Sequence, residues 1–253
     1  MRLDWGQYLS AVRTDGERLA AAVGGHMNDP VPWCPGWVGR DVVGHTGVVH
    51  RHKEAIVAGL LQENPGPADV PSDDTGLLTW YLEGLNRLVA TLREADPAAP
   101  VFTWYGADQT VGFWIRRMAH ETAVHRADAE STAGPITPLD RNLAADGVDE
   151  VLGPIMCAYT TDPGWEFEAD GRVVELRMAD TGDVRHLTLG TGKHGPGWVY
   201  RGGPGDEPRT AMTADASDLD LWSWGRASAD VLTVEGDPTL VEMIRSLAAG
   251  ATG

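Results

Sequence analysis

The stretch Arg116–Glu130, RRMAHETAVHRADAE, decides how this chain is read. At first sight HETAVH is a zinc-protease motif with one residue too many. That motif, H-E-x-x-H, places its histidines four apart so that both face one ion. His120 and His125 are five apart, and a helix advancing about 100° per residue turns them about 140° from each other. They do not readily clamp one metal. Glu121 and His125 are four apart and stand on one face, one turn from each other. Trp114 and Met118 continue that face as an apolar stripe. Such a stripe points into a helical core, where a bare carboxylate is costly unless a cation or donor meets it.

The neighbouring sequence supplies that core. Leu9, Val12, Leu19 and Val23 recur at helical spacing and predict a helix over about 4–23. Further helices are expected over about 39–60, 75–95 and 111–130, the third with Leu78, Leu82, Leu85, Leu88 and Leu92 along one side. Loops rich in Pro and Gly, such as NDPVPWCPGW and QENPGPADVPSDD, separate them. This is the grammar of a four-helix bundle. PLDRNLAADGVDEVLGPIMCAY predicts a fifth helix, interrupted near Gly153-Pro154.

Beyond Thr160 the pattern changes. WEFEAD, RVVELRMAD, DVRHLTLG, GWVYRG and RTAMTAD are short, alternate apolar with polar, and are separated by turn residues. They read as antiparallel strands. ASDLDLWSWGRA predicts a helix entered through a Ser or Asp cap, and ADVLTVEG a last strand. DPTLVEMIRSLAAG predicts a terminal helix, with Asp at its cap, Pro in its first turn and Gly at its end. The expectation is a two-domain α+β chain: a helical bundle over 1–158 and a small α+β domain with an antiparallel sheet over 160–253.

Composition narrows the function. A net charge of −17 repels phosphate backbones and argues against nucleic-acid binding. The N-terminus carries charges where a signal peptide would be apolar, and no apolar run is long enough for a membrane span. Two cysteines, Cys34 and Cys157, make no disulfide framework, so the reduced cytoplasm is the expected compartment. Four metal-ligand cysteines are also lacking, which excludes a zinc ribbon.

A mononuclear metal site needs a third ligand from a neighbouring helix. The second helix, GRDVVGHTGVVHRHKEAIVAG, offers His45, His50 and His52. His45 and His52 share a face but stand about 10.5 Å apart along the axis, too far for one ion. His50 and His52 flank Arg51 and precede Lys53 and Glu54, a more polar setting; they and His120 read as surface groups or as groups that stand behind a metal's ligands. His45 is favoured, and His45, Glu121 and His125 form the candidate metal site. The plain alternative is a solvated Glu/His pair on a helix surface. A second Glu-x-x-His is missing, so the dinuclear bundle pattern does not fit.

Two motifs carry a family resemblance. WCPGWVGRDVVGH, Trp33 to His45, and GFWIRRMAHETAVHRADAE, Gly112 to Glu130, resemble the mycothiol-dependent maleylpyruvate isomerase family of the DinB-like helical-bundle superfamily. The C-terminal ASDLDLWSWGRASADVLTVEGDPTLVEMI is similar to that family's small second domain, which is sterol-carrier-like. The resemblance implies a zinc-type divalent metal on His45, Glu121 and His125. It implies mycothiol, the actinobacterial thiol, as co-substrate and a small electrophile as its partner, with S-transfer or cis–trans isomerisation as the reaction. It also implies a catalytic arginine, matched here to Arg226. The family's Ser or Thr after the PGW tryptophan, its Leu after the metal histidine and its Trp after HR are here Val38-Gly39, Thr46 and Ala127. The first leaves Asp41 or water to satisfy the start of the second helix, and the last two bear on the substrate pocket. A non-catalytic metal- or ligand-binding module of the same fold is the rival reading.

Overall fold

Asp4 starts the first helix. Its carboxylate accepts the Gln7 amide at 2.8 Å, and the Gln7 side chain accepts the Asp4 amide at 2.9 Å. This capping box opens α1, Trp5–Ala22. The second helix, α2, Gly39–Val57, begins without a capping hydroxyl. Asp41 accepts the Val38 amide at 2.9 Å, and the Gly39 and Arg40 amides donate to the Asp29 and Met27 carbonyls. The preceding loop thus satisfies the helix start. A Cβ on Gly39 would lie 2.4 Å from the His26 carbonyl oxygen, so only glycine admits the loop this close.

Asp73 caps α3, Asp74–Glu94, by accepting the Gly76 amide. Its buried face is Leu77, Tyr81, Leu85, Leu88 and Leu92. Leu78 and Leu82, expected in that stripe, are only half-buried. Tyr81 takes the interior instead because its hydroxyl reaches the Gly16 carbonyl at 3.2 Å. The fourth helix, α4, Val111–Ser131, packs against both α1 and α2, while α3 packs against the same two. Being central, α4 buries nearly all of its surface, and its polar residues are paired rather than solvated. Arg126 is 1% exposed and donates to Asp15, Glu130 and the Thr137 carbonyl.

The computed structural model describes residues 3–59, 69–156, 158, 172–192, 195–202 and 210–252. Leu3–Thr137 is one compact unit, and the chain from Pro138 onward is another. The fifth helix, α5, Arg141–Glu150, was grouped with the bundle on sequence grounds; it packs against the helix after β4 in the second unit. It runs into a π-helical turn, Val151–Ile155, at the expected interruption. Pro154 lies inside that turn and has no amide to donate, which favours the shifted ladder.

The second unit carries β1 Val173–Met178, β2 Val184–Gly192, β3 Gly195–Gly202, β4 Thr210–Ala214 and β5 Thr233–Gly236. They form one sheet in the order β3-β2-β1-β4-β5. The expected all-antiparallel sheet is corrected here: β1 and β4 run parallel, Val174 facing Thr210, and the other pairs are antiparallel. Short alternating strands carry no signal for which edge a later strand joins, so the hairpin reading was blind to this insertion. Val174, Leu176, Met178, Leu187 and Met212 are buried. Helices α6, Ala216–Ser223, and α7, Thr239–Thr252, complete the unit. The Ala216 amide at the start of α6 donates to Asp180 at 2.8 Å. Asp237 accepts the Thr239 amide at 2.9 Å at the start of α7, as the sequence implied. WEFEAD, Cys157 and His194 lie outside the described residues. No helix among the described residues is long and apolar enough to cross a membrane.

Candidate metal centre

The first unit brings His45, Glu121 and His125 together. Their ligand atoms all lie within 4.8 Å of one another, among the described residues the one such group of His, Cys, Asp or Glu. Glu121 Oε1 is 3.3 Å from His125 Nε2 and 3.5 Å from His45 Nε2. Two ligands of a tetrahedral zinc site with bonds of about 2.0–2.1 Å stand about 3.3–3.4 Å apart. The donor set and its spacing therefore fit a divalent cation. Glu121 and His125 come from successive turns of α4, and His45 comes from α2.

Each α4 ligand has an orienting partner. Arg117, one turn before Glu121, donates to its Oε2 at 2.8 Å and leaves Oε1 toward the histidines. Nδ1 of His125 sits 2.9 Å from Asp128 Oδ2, and Asp128 is fully buried. With Nδ1–H donated to the carboxylate, Nε2 is the nitrogen presented to an ion. The motifs and spacings weighed above do not single out Asp128. The spacing His125-x-x-Asp128, on one face of a helix beside a metal histidine, was the signal that could have found its role.

Charge is concentrated here. Burial would raise the Glu121 carboxyl, but hydrogen bonds from His125 and His45 and the charge of Arg117 hold it well below the usual range. Burial would lower His125, but Asp128 and Glu121 outweigh it and raise the imidazole to about 9. A proton therefore occupies His125 where a cation fits, and a cation that bound there would displace it. Trp37 stacks on His125 at 6.1 Å and 13°, and lies 5.1 Å from the His45 ring. His45 is the most open ligand, its side chain 41% exposed. Beside it is a cavity of about 460 Å³ lined by Trp37, Arg40, Asp41, Gly44, Val70 and Leu77.

The other candidates separate. His120 is buried but faces Tyr8 at 6.1 Å between ring centres, away from the trio. His50 is fully buried and lies 2.9 Å from Thr122 Oγ1, which leaves the reading that puts it behind the ligands and removes the surface one. The charged residues beside it misled the surface reading, since on a helix adjacent residues face different ways. Thr46 does not polarise the cavity: its hydroxyl donates to the Val42 carbonyl of its own helix. Ala127 is buried within α4. Arg226 lies in the second unit just past α6, where its guanidinium donates to the Trp224 carbonyl at 2.6 Å. His186, which carried no signal, is buried and paired with Glu175 across β1 and β2.

Residues 9–130 match the model of the mycothiol maleylpyruvate isomerase N-terminal domain. The fold is similar to two solved structures, the mycothiol-dependent maleylpyruvate isomerase and a point mutant of it. Each is 12% identical to this chain and covers 92% of it and 93% of its own length, with TM-scores of 0.60 and 0.61. At that identity the likeness is one of fold. No curated protein matches the chain in sequence. Residues 9–130 are thus identified as a mycothiol maleylpyruvate isomerase N-terminal domain.

Proposed function

We propose that the chain is a mycothiol-dependent metalloenzyme that adds or transfers the thiol to a small electrophile, or uses it for cis–trans isomerisation. The observation that carries this reading is the convergence of two imidazole Nε2 atoms and one carboxylate oxygen within 4.8 Å, beside an open cavity. Support also comes from the family of residues 9–130 and from the shared fold of a mycothiol-dependent isomerase. The N-terminal unit is then a DinB-like four-helix bundle and the second a sterol-carrier-like domain.

His45, Glu121 and His125 would hold a divalent ion, for which zinc is the proposed identity. Such an ion lowers the pKa of a thiol that reaches it, so that the thiolate is present near neutral pH. Two neutral imidazoles and one carboxylate leave the filled site with a net charge of about +1, which a thiolate cancels. Asp128 keeps His125 in the required tautomer, and Arg117 keeps Glu121 turned inward. Trp37 covers the two histidines, and the cavity gives the thiol's body and the electrophile room. Arg226 is assigned to a carboxylate or carbonyl oxygen of the electrophile. Addition of sulfur to a cis enedioate makes a C–S bond and leaves a single C–C bond free to rotate. Expulsion of the thiolate then restores the double bond in trans. Protonation of the adduct instead completes S-transfer.

Metal content of the purified protein and incubation with mycothiol and a panel of electrophiles test the reading. Stoichiometric metal, with an adduct or isomer that Arg226→Ala suppresses without changing metal content, is the expected result. Metal without any product would leave a binding module. A protein that takes up no metal would remove the basis of the proposal.

A further inference from the structure

The metal centre is unevenly supported. Arg117 holds Glu121 and Asp128 holds His125, both through α4. His45 has no hydrogen-bond partner that orients its ring; only Trp37 and the site itself touch it among the described contacts. The position of His45 over Glu121 therefore depends on how α2 is seated on α4. Outside the site, a hydrogen bond joins these helices, His50 to Thr122. His50 is five residues after His45, and Thr122 follows Glu121.

The direction of that bond is fixed. The Thr122 hydroxyl donates to the Met118 carbonyl at 2.6 Å, so its oxygen accepts from His50 Nε2–H at 2.9 Å. His50 Nδ1 is then a bare acceptor, buried without a partner. Its ring stacks on Tyr81 at 5.6 Å, and Tyr81 donates to the Gly16 carbonyl. Gly16, His50, Tyr81 and Thr122 belong to α1, α2, α3 and α4, so this one layer ties all four helices just beneath the metal ligands. An apolar residue of similar size would fill the space without the unmet nitrogen. What the histidine adds over such a residue is a directional link to α4.

We infer that His50 and Thr122 are positioning residues for the metal centre: their hydrogen bond sets α2 on α4 so that His45 meets Glu121 and His125. The inference rests on the metal reading proposed above. It is tested with cobalt(II) on the full chain, reading affinity, the visible ligand-field spectrum and the thermal midpoint of the metal-free protein. His50→Leu is expected to weaken cobalt binding about tenfold and alter the spectrum while the midpoint stays near that of the parent. Thr122→Val, which keeps the imidazole packing, is expected to show the same spectral change. The double variant should bind no more weakly than the weaker single, and Thr122→Ser should restore parental binding. Parental affinity and spectrum in folded His50→Leu or Thr122→Val overturn the inference and leave the metal reading intact. A parent chain that takes up no cobalt overturns both.

Discussion

Nδ1 of His125 lies 2.9 Å from Oδ2 of Asp128, three residues further along the same buried helix. This carboxylate selects the imidazole tautomer and fixes the ring plane. Asp128→Asn keeps the size but removes the charge. It is expected to weaken zinc binding by about 10- to 100-fold. A competition titration against a chromophoric chelator measures this, and unchanged affinity would remove Asp128 from the site.

His45 is half-exposed and sits on an otherwise intact helix, so His45→Ala should change the stability of the metal-free chain by only about 0.5 kcal/mol. Its effect belongs to the metal. With zinc at about 100 times the dissociation constant, the parent chain gains about 2.7 kcal/mol, which raises its melting temperature. His45→Ala should lose this gain, and a chelator should abolish it in the parent. A variant that keeps the zinc-dependent rise would place the ion elsewhere.

Burial lowers the His50 imidazole to about 3, against an ordinary value of 6.5. Below pH 6.5 the unfolded chain therefore takes up a proton that the folded chain refuses. Stability falls as the pH drops from 6.5 towards 3. The loss at pH 5, relative to pH 8, is about 2 kcal/mol from this residue. Urea unfolding of the metal-free parent and of His50→Leu at the two pH values isolates the contribution. Equal losses in both proteins would show that His50 titrates normally.

Gly39 lets the loop that carries Trp37 lie against the start of α2. In Gly39→Ala the methyl group would meet the His26 carbonyl oxygen at 2.4 Å, a backbone atom that yields only if the loop moves. A cost of about 1–3 kcal/mol is expected, seen as a lower urea midpoint. Because the same loop holds Trp37 over both histidines, zinc affinity should fall as well. A stable Gly39→Ala chain would mean that the loop is free to retreat.

Arg226 stands apart from the metal ligands in sequence and in compact unit. Arg226→Lys keeps one positive charge but loses the planar fork that pairs with a carboxylate. Turnover of a carboxylated electrophile should fall by at least about tenfold while zinc content stays constant. Turnover equal to that of the parent would assign the role to another residue.

The sequence by itself determined the local structure and which side chains are candidate ligands. Helical spacing placed Glu121 and His125 on one face and His120 off it, because 3.6 residues per turn leave no other choice. The Asp237 cap, with Pro238 after it, marked where the last helix begins. His45 was favoured from the small, uncharged residues around it, and α2 brings it to the other two. Tertiary structure decided what local patterns do not encode. The parallel pairing of β1 with β4 joins strands far apart in sequence. His50 is buried although charges flank it, because the packing of α2 on α4, not its neighbours, sets its exposure. Asp128 lies in a run that looks solvated, and only the central place of α4 turns it from a surface charge into the partner of His125. Residue types and spacing specified the candidate donors. The groups that hold them are specified by contacts between helices, and those form only when the bundle closes.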